Sequence, residues 1–314
     1  MNIQVTGASG FVGRALLGHL LGHGHRLRGA SRRLPQRPVP GVDYMETGDL
    51  DGATDWRAAL AGCDVVVHLA ARVHVMSDAA SEPLAEFREV NTVATLNLAR
   101  QAAAAGVRRF VFVSSVKVNG AGRDAPYCES DTPAPQDPYA ISKWEAEQGL
   151  ARIAAEAGLE VVILRPPLVY GPGVGANFLR LMQLVEKGWP LPFGRVDNRR
   201  SLLFLGNLVD AIRLCLAHPA AAGKTYLVSD GDAVATPELL RLLAAAMQRR
   251  PRLLPLPASL IRLAGSLLGQ SAEVSRLLDS LVLDSRRIRE ELHWRPPYSL
   301  AEGINQTVRA YLNG

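Results

Sequence analysis

Tyr139 and Lys143, four residues apart in YAISK, are the pair in this sequence best suited to moving a proton. That spacing is about one helical turn, so the two side chains share a helix face. A free phenol ionises near pH ~10. Acid–base work near neutrality requires a drop of about 3 in that value, roughly 4 kcal/mol of differential stabilisation. A neighbouring ammonium has the right sign to help. The spacing alone occurs by chance in many helices, so its surroundings matter. Upstream, FVFVSSVKVNG reads as a buried strand ending in Ser114 and Ser115. A hydroxyl at a strand's carboxyl end projects into the crevice where open α/β sheets hold ligands. There it can hold a substrate carbonyl or hydroxyl. Strand-end capping is the plainer role for the same serines.

The chain opens with NIQVTGASGFVG, residues 2–13. Gly7, Gly10 and Gly13 follow a strand and open a helix. Glycines there allow a tight turn and close backbone approach to a pyrophosphate, which the helix N-terminus attracts with its N–H groups and partial positive charge. After the second strand an acidic residue would select NAD. Gly29, Ala30, Ser31, Arg32 and Arg33 stand there instead. This favours NADP(H) as the cofactor, with NAD(H) as the alternative and plain solvated charges as the bland reading of the arginines. Asp49 and Leu50, in TGDL, follow the third strand, where the aspartate fits either an approach to an adenine or a plain turn.

The elements that must position these groups alternate. Strands are expected at Asn2–Thr6, Arg26–Ala30, Val42–Glu46, Asp64–Leu69, Phe110–Ser114 and Glu160–Leu164, with helices at Phe11–Gly22, Phe87–Ala105 and Tyr139–Ala157. Repeated strand–helix–strand units imply α/β architecture: a Rossmann-type, doubly wound parallel sheet. After Arg165 prolines and glycines crowd a loop, followed by a strand at Thr225–Ser229 and helices at Asn207–Ala217, Pro237–Arg249 and Leu300–Leu312. We expect a dinucleotide domain over 1–165 and a smaller C-terminal α/β substrate-binding lobe over 166–314, with part of the latter returning to the sheet.

The 314 residues carry 35 basic and 30 acidic side chains, net +5. This balance fits a basic cleft for a small anion or simply a solvated surface; no basic stripe indicates nucleic acid. Cys63, Cys128 and Cys215 lie far apart and form no zinc or redox motif, which fits a reducing, cytoplasmic compartment. Met1 runs into a strand, leaving no room for a signal peptide. The apolar run Leu253–Leu268 is broken by Pro255, Pro257 and Arg262. It is too short and too broken to span a bilayer and reads better as a helix over a core than as a membrane-surface element. His19 and His23 have no further ligand to complete a metal site, so none is expected. Trp189 and Phe193 could stack on a base or sugar, but packing is the stronger reading. Tyr226 is expected to be structural.

Taken together, TGASGFVG, DVVVHLAA, the asparagine of REVNTVATLNL, FVSS, YAISK and RPPLVYGPG resemble, in order and over nearly the whole chain, the extended short-chain dehydrogenases/reductases of the NAD-dependent epimerase/dehydratase family. That group includes sugar-nucleotide epimerases, dehydratases and 4-keto reductases. The resemblance implies a catalytic set of Ser115, Tyr139 and Lys143, with Tyr139 exchanging the proton and Lys143 holding the ribose. It implies a cofactor set in which Gly7, Ser9, Gly10, Phe11, Val12 and Gly13 hold the pyrophosphate and Asp49 and Leu50 flank the adenine. Ser31, Arg32, Leu69, Ala70, Ala71, Asn91 and Pro166, with Tyr139 and Lys143, complete that set. Asn177, Arg200 and Arg276, with Ser115, would hold a nucleotide-sugar substrate, UDP-linked by analogy. A homodimer through the helices around Phe87–Ala105 and Tyr139–Ala157 is a further implication.

Two departures narrow the reaction. Asn119 replaces a tyrosine common near the catalytic serine. Val116 and Lys117 stand where sugar-nucleotide dehydratases carry an Asp-Glu pair, which argues against dehydration. The sequence flanks resemble bacterial surface-polysaccharide enzymes. With Ser31-Arg32-Arg33, they put NADPH-dependent reduction of a 4-keto sugar first and a UDP-glucose 4-epimerase-like NAD enzyme second. A non-catalytic dinucleotide sensor and an apolar-carbonyl reductase are remoter.

Overall fold

The computed structural model describes residues 1–73 and 82–313. Along the chain, β1 (Asn2–Thr6) leads into α1 (Phe11–Leu21), then β2 (Arg26–Ser31), β3 (Val42–Glu46), α2 (Arg57–Leu60) and β4 (Val65–His68). There follow α3 (Pro83–Arg88), a π-helical turn at Glu89–Val93, α4 (Ala94–Ala104), β5 (Arg109–Val113), β6 (Arg123–Tyr127), α5 (Pro138–Ala157) and β7 (Glu160–Arg165). The remainder comprises β8 (Leu168–Tyr170), α6 (Ala176–Glu186), β9 (Leu202–Phe204), α7 (Leu205–Cys215), β10 (Thr225–Leu227), α8 (Thr236–Ala246), α9 (Ala258–Leu267), α10 (Ser271–Leu278), β11 (Leu281–Leu283), α11 (Arg286–Glu291) and α12 (Leu300–Asn313).

Seven of these strands form one sheet in the order β10-β7-β5-β4-β1-β2-β3. Every pairing in it is parallel. This is the doubly wound Rossmann-like α/β fold expected from the alternation. The chain steps outward from β1 through β2 to β3, then returns to β1's other side as β4. The carboxyl ends of β1 and β4 therefore splay apart at a switch point, where such sheets bind ligands.

Both sheet faces are covered, which explains why β4 is valine throughout its first three positions and buried at all four. On one face Leu16, Leu17 and Leu20 of α1 pack with Leu208, Ile212 and Cys215 of α7. On the other, Leu98, Ala99 and Ala102 of α4 meet Ala146, Leu150 and Ile153 of α5. A separate core of α6, α8 and α12, with Tyr170 and Phe204, holds the C-terminal part together. Two parallel strand pairs, β6–β11 and β8–β9, lie outside the main sheet.

Three readings change. The helix expected over Phe87–Ala105 is interrupted by the π turn at Glu89–Val93, whose widened ring turns Asn91 inward. The helix expected over a core near Leu253–Leu268 buries Ile261 and Gly265 but leaves its leucines in solvent. Trp189 does not pack inside: it is exposed, whereas Phe193 and Tyr226 are buried. No helix among the described residues is long and apolar enough to cross a membrane.

Candidate active site

The glycine turn is built by contact with β4. Gly7 has φ +65°, and a Cβ there would stand 2.9 Å from the Ala70 nitrogen. A Cβ on Gly13 would stand 2.2 Å from the Gly7 carbonyl oxygen. Gly10 caps α1 without a side-chain hydrogen bond, so the first-turn N–H groups point outward without a capping side chain. Ser9, Gly10 and Phe11 line a cleft of about 750 Å3 that continues past Arg14, Pro172 and Gly173. Gly13→Ala is expected to abolish dinucleotide binding, because the methyl group forces the turn away from the helix end. Overpacking of this kind also costs about 1–3 kcal/mol. Dinucleotide titration and urea denaturation check both; wild-type affinity would contradict the assignment.

Beneath the turn, a buried chain of hydrogen bonds fixes the floor. The Thr6 hydroxyl accepts from the Leu69 and Ala70 N–H groups, each at 3.2 Å. It contacts His68 Nδ1 at 2.7 Å, and His68 Nε2 lies 2.9 Å from the Thr95 hydroxyl. Thr95 donates to the Asn91 carbonyl at 2.8 Å. Since Thr95 spends its proton on that carbonyl, Nε2–H of His68 donates and Nδ1 accepts from Thr6. Burial, with the Lys143 charge nearby, pushes His68 down to about 3, so the ring is neutral. Leu69, Ala70 and Ala71 are thereby held directly after β4.

The side chain of Asn91 is engaged within the protein. Fully buried, its side chain accepts from the Arg72 N–H at 2.8 Å and donates to the Arg72 carbonyl and the Ser142 hydroxyl, each at 3.0 Å. Its amide is spent tying the loop after β4 to α5, which makes it a positioning residue.

The helix carrying Tyr139 and Lys143 starts at Pro138, one residue before the expected Tyr139. Asp137 caps it, accepting from the Ala140 N–H at 2.8 Å, and Pro138 takes the first position. Gly158, at φ 68°, closes it. Tyr139 is half-buried and hydrogen-bonds Ser115. Phe87 sits edge-on at 6.2 Å and the Lys117 ammonium 5.9 Å over its ring. The Ser115 hydroxyl also accepts from the Lys117 N–H at 3.2 Å. Lys143 is 1% exposed, and its ammonium donates to the Val113 carbonyl at 3.0 Å. Burial pushes the Tyr139 phenol up to about 12, reinforced by the Asp137 carboxylate and opposed by the Ser115 hydrogen bond. Burial also pulls Lys143 down to about 7, opposed by the Glu147 carboxylate. The pair is thus set in place with its charges held off.

Ser114, one residue earlier, faces the other way. Its hydroxyl donates to Glu147 at 2.5 Å. Glu147, one turn beyond Lys143, is gripped by Arg165 through contacts at 2.5 and 3.0 Å. Arg165 also donates to Asn119 Oδ1 at 2.9 Å. Asn119, which replaces a tyrosine in the pattern, therefore supplies a buried acceptor. Sequence reasoning missed Glu147 and Arg165. The i,i+4 spacing from Lys143 to Glu147 was the one available signal.

The remaining expectations fare unevenly. Ser31 is buried and donates to the Arg33 carbonyl at 2.8 Å, a turn-forming role rather than an open ligand site. Arg32 and Asp49 form an exposed ion pair at 3.5 Å, and Leu50 packs against the core that contains Trp56. The Pro166 carbonyl accepts from Val116 N–H at 3.0 Å, bracing the loop after Ser115. Arg200 donates to the Asp279 carbonyl at 2.8 Å, and its pKa is lowered by burial and by the nearby Arg276 charge. The structure thus brings Arg200 and Arg276 together. Asn177 is the second residue of α6, whose N-cap, Gly175, offers no side-chain cap.

Comparison with known proteins bears on this geometry. The family described as "NAD dependent epimerase/dehydratase family" matches residues 3–229. A Vibrio cholerae protein described as UDP-glucose 4-epimerase is 46% identical over 99% of this chain and 95% of its own. The solved structure of MoeE5 in complex with UDP-glucuronic acid and NAD superposes with a TM-score of 0.81 at 26% identity, covering 100% of this chain and 99% of that one. DesIV, a dTDP-glucose 4,6-dehydratase from Streptomyces venezuelae with NAD and TYD bound, gives 0.80 at 26%, covering 100% and 98%.

Proposed function

The chain belongs to the NAD-dependent epimerase/dehydratase family, and from that premise we propose that it is an enzyme inverting C4 of a UDP-linked hexose with NAD as cofactor. The likeness to the Vibrio cholerae protein over almost the full chain carries this reading. NADPH-dependent reduction of a 4-keto sugar, which Ser31-Arg32-Arg33 favours when taken alone, has less support. The Ser31 hydroxyl is spent within its own turn, and Arg32 faces the Asp49 carboxylate, which would repel a 2′-phosphate. Dehydration is disfavoured because Lys117, bound to Asp137 at 2.6 Å, stands where an acid would be needed.

The glycine turn fits a dinucleotide: side chains are excluded by backbone contact, and the α1 N-terminus lies open beside it. Bound there, the oxidised cofactor would supply a hydride acceptor and a positive charge near the phenol. Gly7 to Gly13 would bind its pyrophosphate, with Leu69 to Ala71 along its edge. Lys143 would hold ribose hydroxyls. Tyr139 would take the proton of the C4 hydroxyl and give it back to the same oxygen after the sugar has turned over, with Ser115 holding that oxygen throughout. Bringing a phenol at about 12 to work near neutrality takes about 7 kcal/mol. Arg200 and Arg276 would bind the diphosphate of the sugar nucleotide with forked donors, and Asn177 would join them. Residues 1–165 would then serve the dinucleotide and 166–314 the sugar nucleotide.

Incubating the protein with UDP-glucose and NAD, without a reductant, and following the sugar by proton NMR tests the reading. We expect UDP-galactose at equilibrium and no net NADH. Stoichiometric NADPH consumption on a 4-keto sugar, with UDP-glucose left unchanged, would overturn it.

A further inference from the structure

The C-terminal part carries an apolar surface that the site does not use. On α9, Leu263 is 58% and Leu267 80% exposed, and Leu268 just beyond is 73% exposed. Leu260 joins them, whereas Ile261 and Gly265 on the other side are buried and Ala258 packs against the C-terminal core. Successive residues turn by about 100°. Leu260, Leu263, Ala264 and Leu267 therefore share one stripe, and the inward strip of Ile261 and Gly265 lies beside it. The apolar half of α9 is thus far wider than the part the protein packs against.

The approach to the helix extends the same surface. Leu254 and Leu256 are exposed. The segment before α9 runs beside the one that carries Trp189, with Leu191 donating to the Arg252 carbonyl at 2.8 Å. Trp189 is 59% exposed, with the Lys187 ammonium 5.3 Å from its ring. In sequence the stretch between Glu238 and Glu273 carries five arginines and no carboxylate, and Asp279 is the acid that stands beside it. Arg249, Arg250 and Arg252 are exposed. Arg262 is engaged, pairing with Asp279 at 2.6 Å.

We propose that this face docks on an anionic lipid surface, with the α9 leucines entering the acyl boundary and Arg249, Arg250 and Arg252 meeting the headgroups. A stripe of leucines with basic residues and an indole at its edge is the chemistry of an interfacial helix. A second copy of this chain is disfavoured as the occupant, because it would bring arginine clusters against each other. Asp279, which holds Arg262, also accepts from Arg200 through its carbonyl, so the docking face lies next to the candidate diphosphate arginines.

Co-sedimentation of the full chain with vesicles of phosphatidylcholine alone, and of phosphatidylcholine mixed equally with phosphatidylglycerol, tests this. We expect binding to the mixed vesicles only, weakened by salt. Leu263→Ser with Leu267→Ser should reduce it by about tenfold or more, and each of Arg249→Gln and Arg250→Gln by about fivefold. UDP-sugar turnover in solution should be unchanged in all three, which separates this test from that of the reaction. Absence of vesicle binding would overturn the proposal, as would binding unaffected by these substitutions. So would self-association in light scattering that the leucine substitutions abolish, since the face would then belong to a second copy.

Discussion

Tyr139→Phe is expected to lower turnover by about 10²–10⁴-fold while leaving dinucleotide affinity intact. The substitution removes one oxygen. It keeps the ring that Phe87 meets edge-on and the Lys117 ammonium overlies. What is lost is the hydroxyl hydrogen-bonded to Ser115, the group to which the proposed reaction gives the proton exchange. Ser115→Ala should cost less, since the phenol remains. Steady-state kinetics on a UDP-sugar with NAD titration in parallel separates the two effects. A Phe variant within about tenfold of wild type would mean that the proton passes elsewhere.

Glu147→Ala is expected to destabilise the protein by about 3–5 kcal/mol. Glu147 and Arg165 pair at 2.5 Å with side chains 2% and 4% exposed. Removing the carboxylate strands a guanidinium in the interior, along with the Ser114 hydroxyl that donates to it. Hydrophobic replacement of both partners would be gentler, because no charge is then orphaned. Urea denaturation of the single and double variants checks this; a loss under about 1 kcal/mol in Glu147→Ala would contradict the buried pairing. Glu147→Gln keeps an acceptor for Arg165 but removes the charge that favours the Lys143 ammonium. Lys143, already at about 7, should then titrate lower. The ammonium form then disappears at a lower pH, so any limb of the kcat/KM profile that follows its deprotonation moves toward acid.

Much of this architecture was legible because the relevant physics is local. Valine runs such as Val65–Val67 mark strands buried on both faces, and Asp137-Pro138 with Gly158 marks where α5 starts and stops. The glycine spacing after β1 is also local, since a turn, a cap and a helix start fall within seven residues. What escaped depends on partners distant in sequence. Within the π turn at Glu89–Val93, Asn91 bonds Arg72 and Ser142, partners that no periodicity discloses. In sequence His68 is one more strand residue; its role comes from Thr6 and Thr95 at its two nitrogens. β6 contains Pro126 and pairs with β11, more than a hundred residues on, so neither looks like a strand alone. The leucines of α9 have helical spacing, and spacing cannot tell a core from a solvent-facing stripe. Ser31 and Arg32 show the same limit, because residue type suggested a phosphate site and geometry spent the hydroxyl on the turn.

The most direct test of the central claim uses UDP-glucose carrying deuterium at C4, incubated with the protein and a catalytic amount of NAD. Inversion by removal and return of one hydride within a single site predicts UDP-galactose that keeps the label at C4, with the NADH pool unlabelled. Loss of the label to free cofactor, or to solvent, would contradict the account.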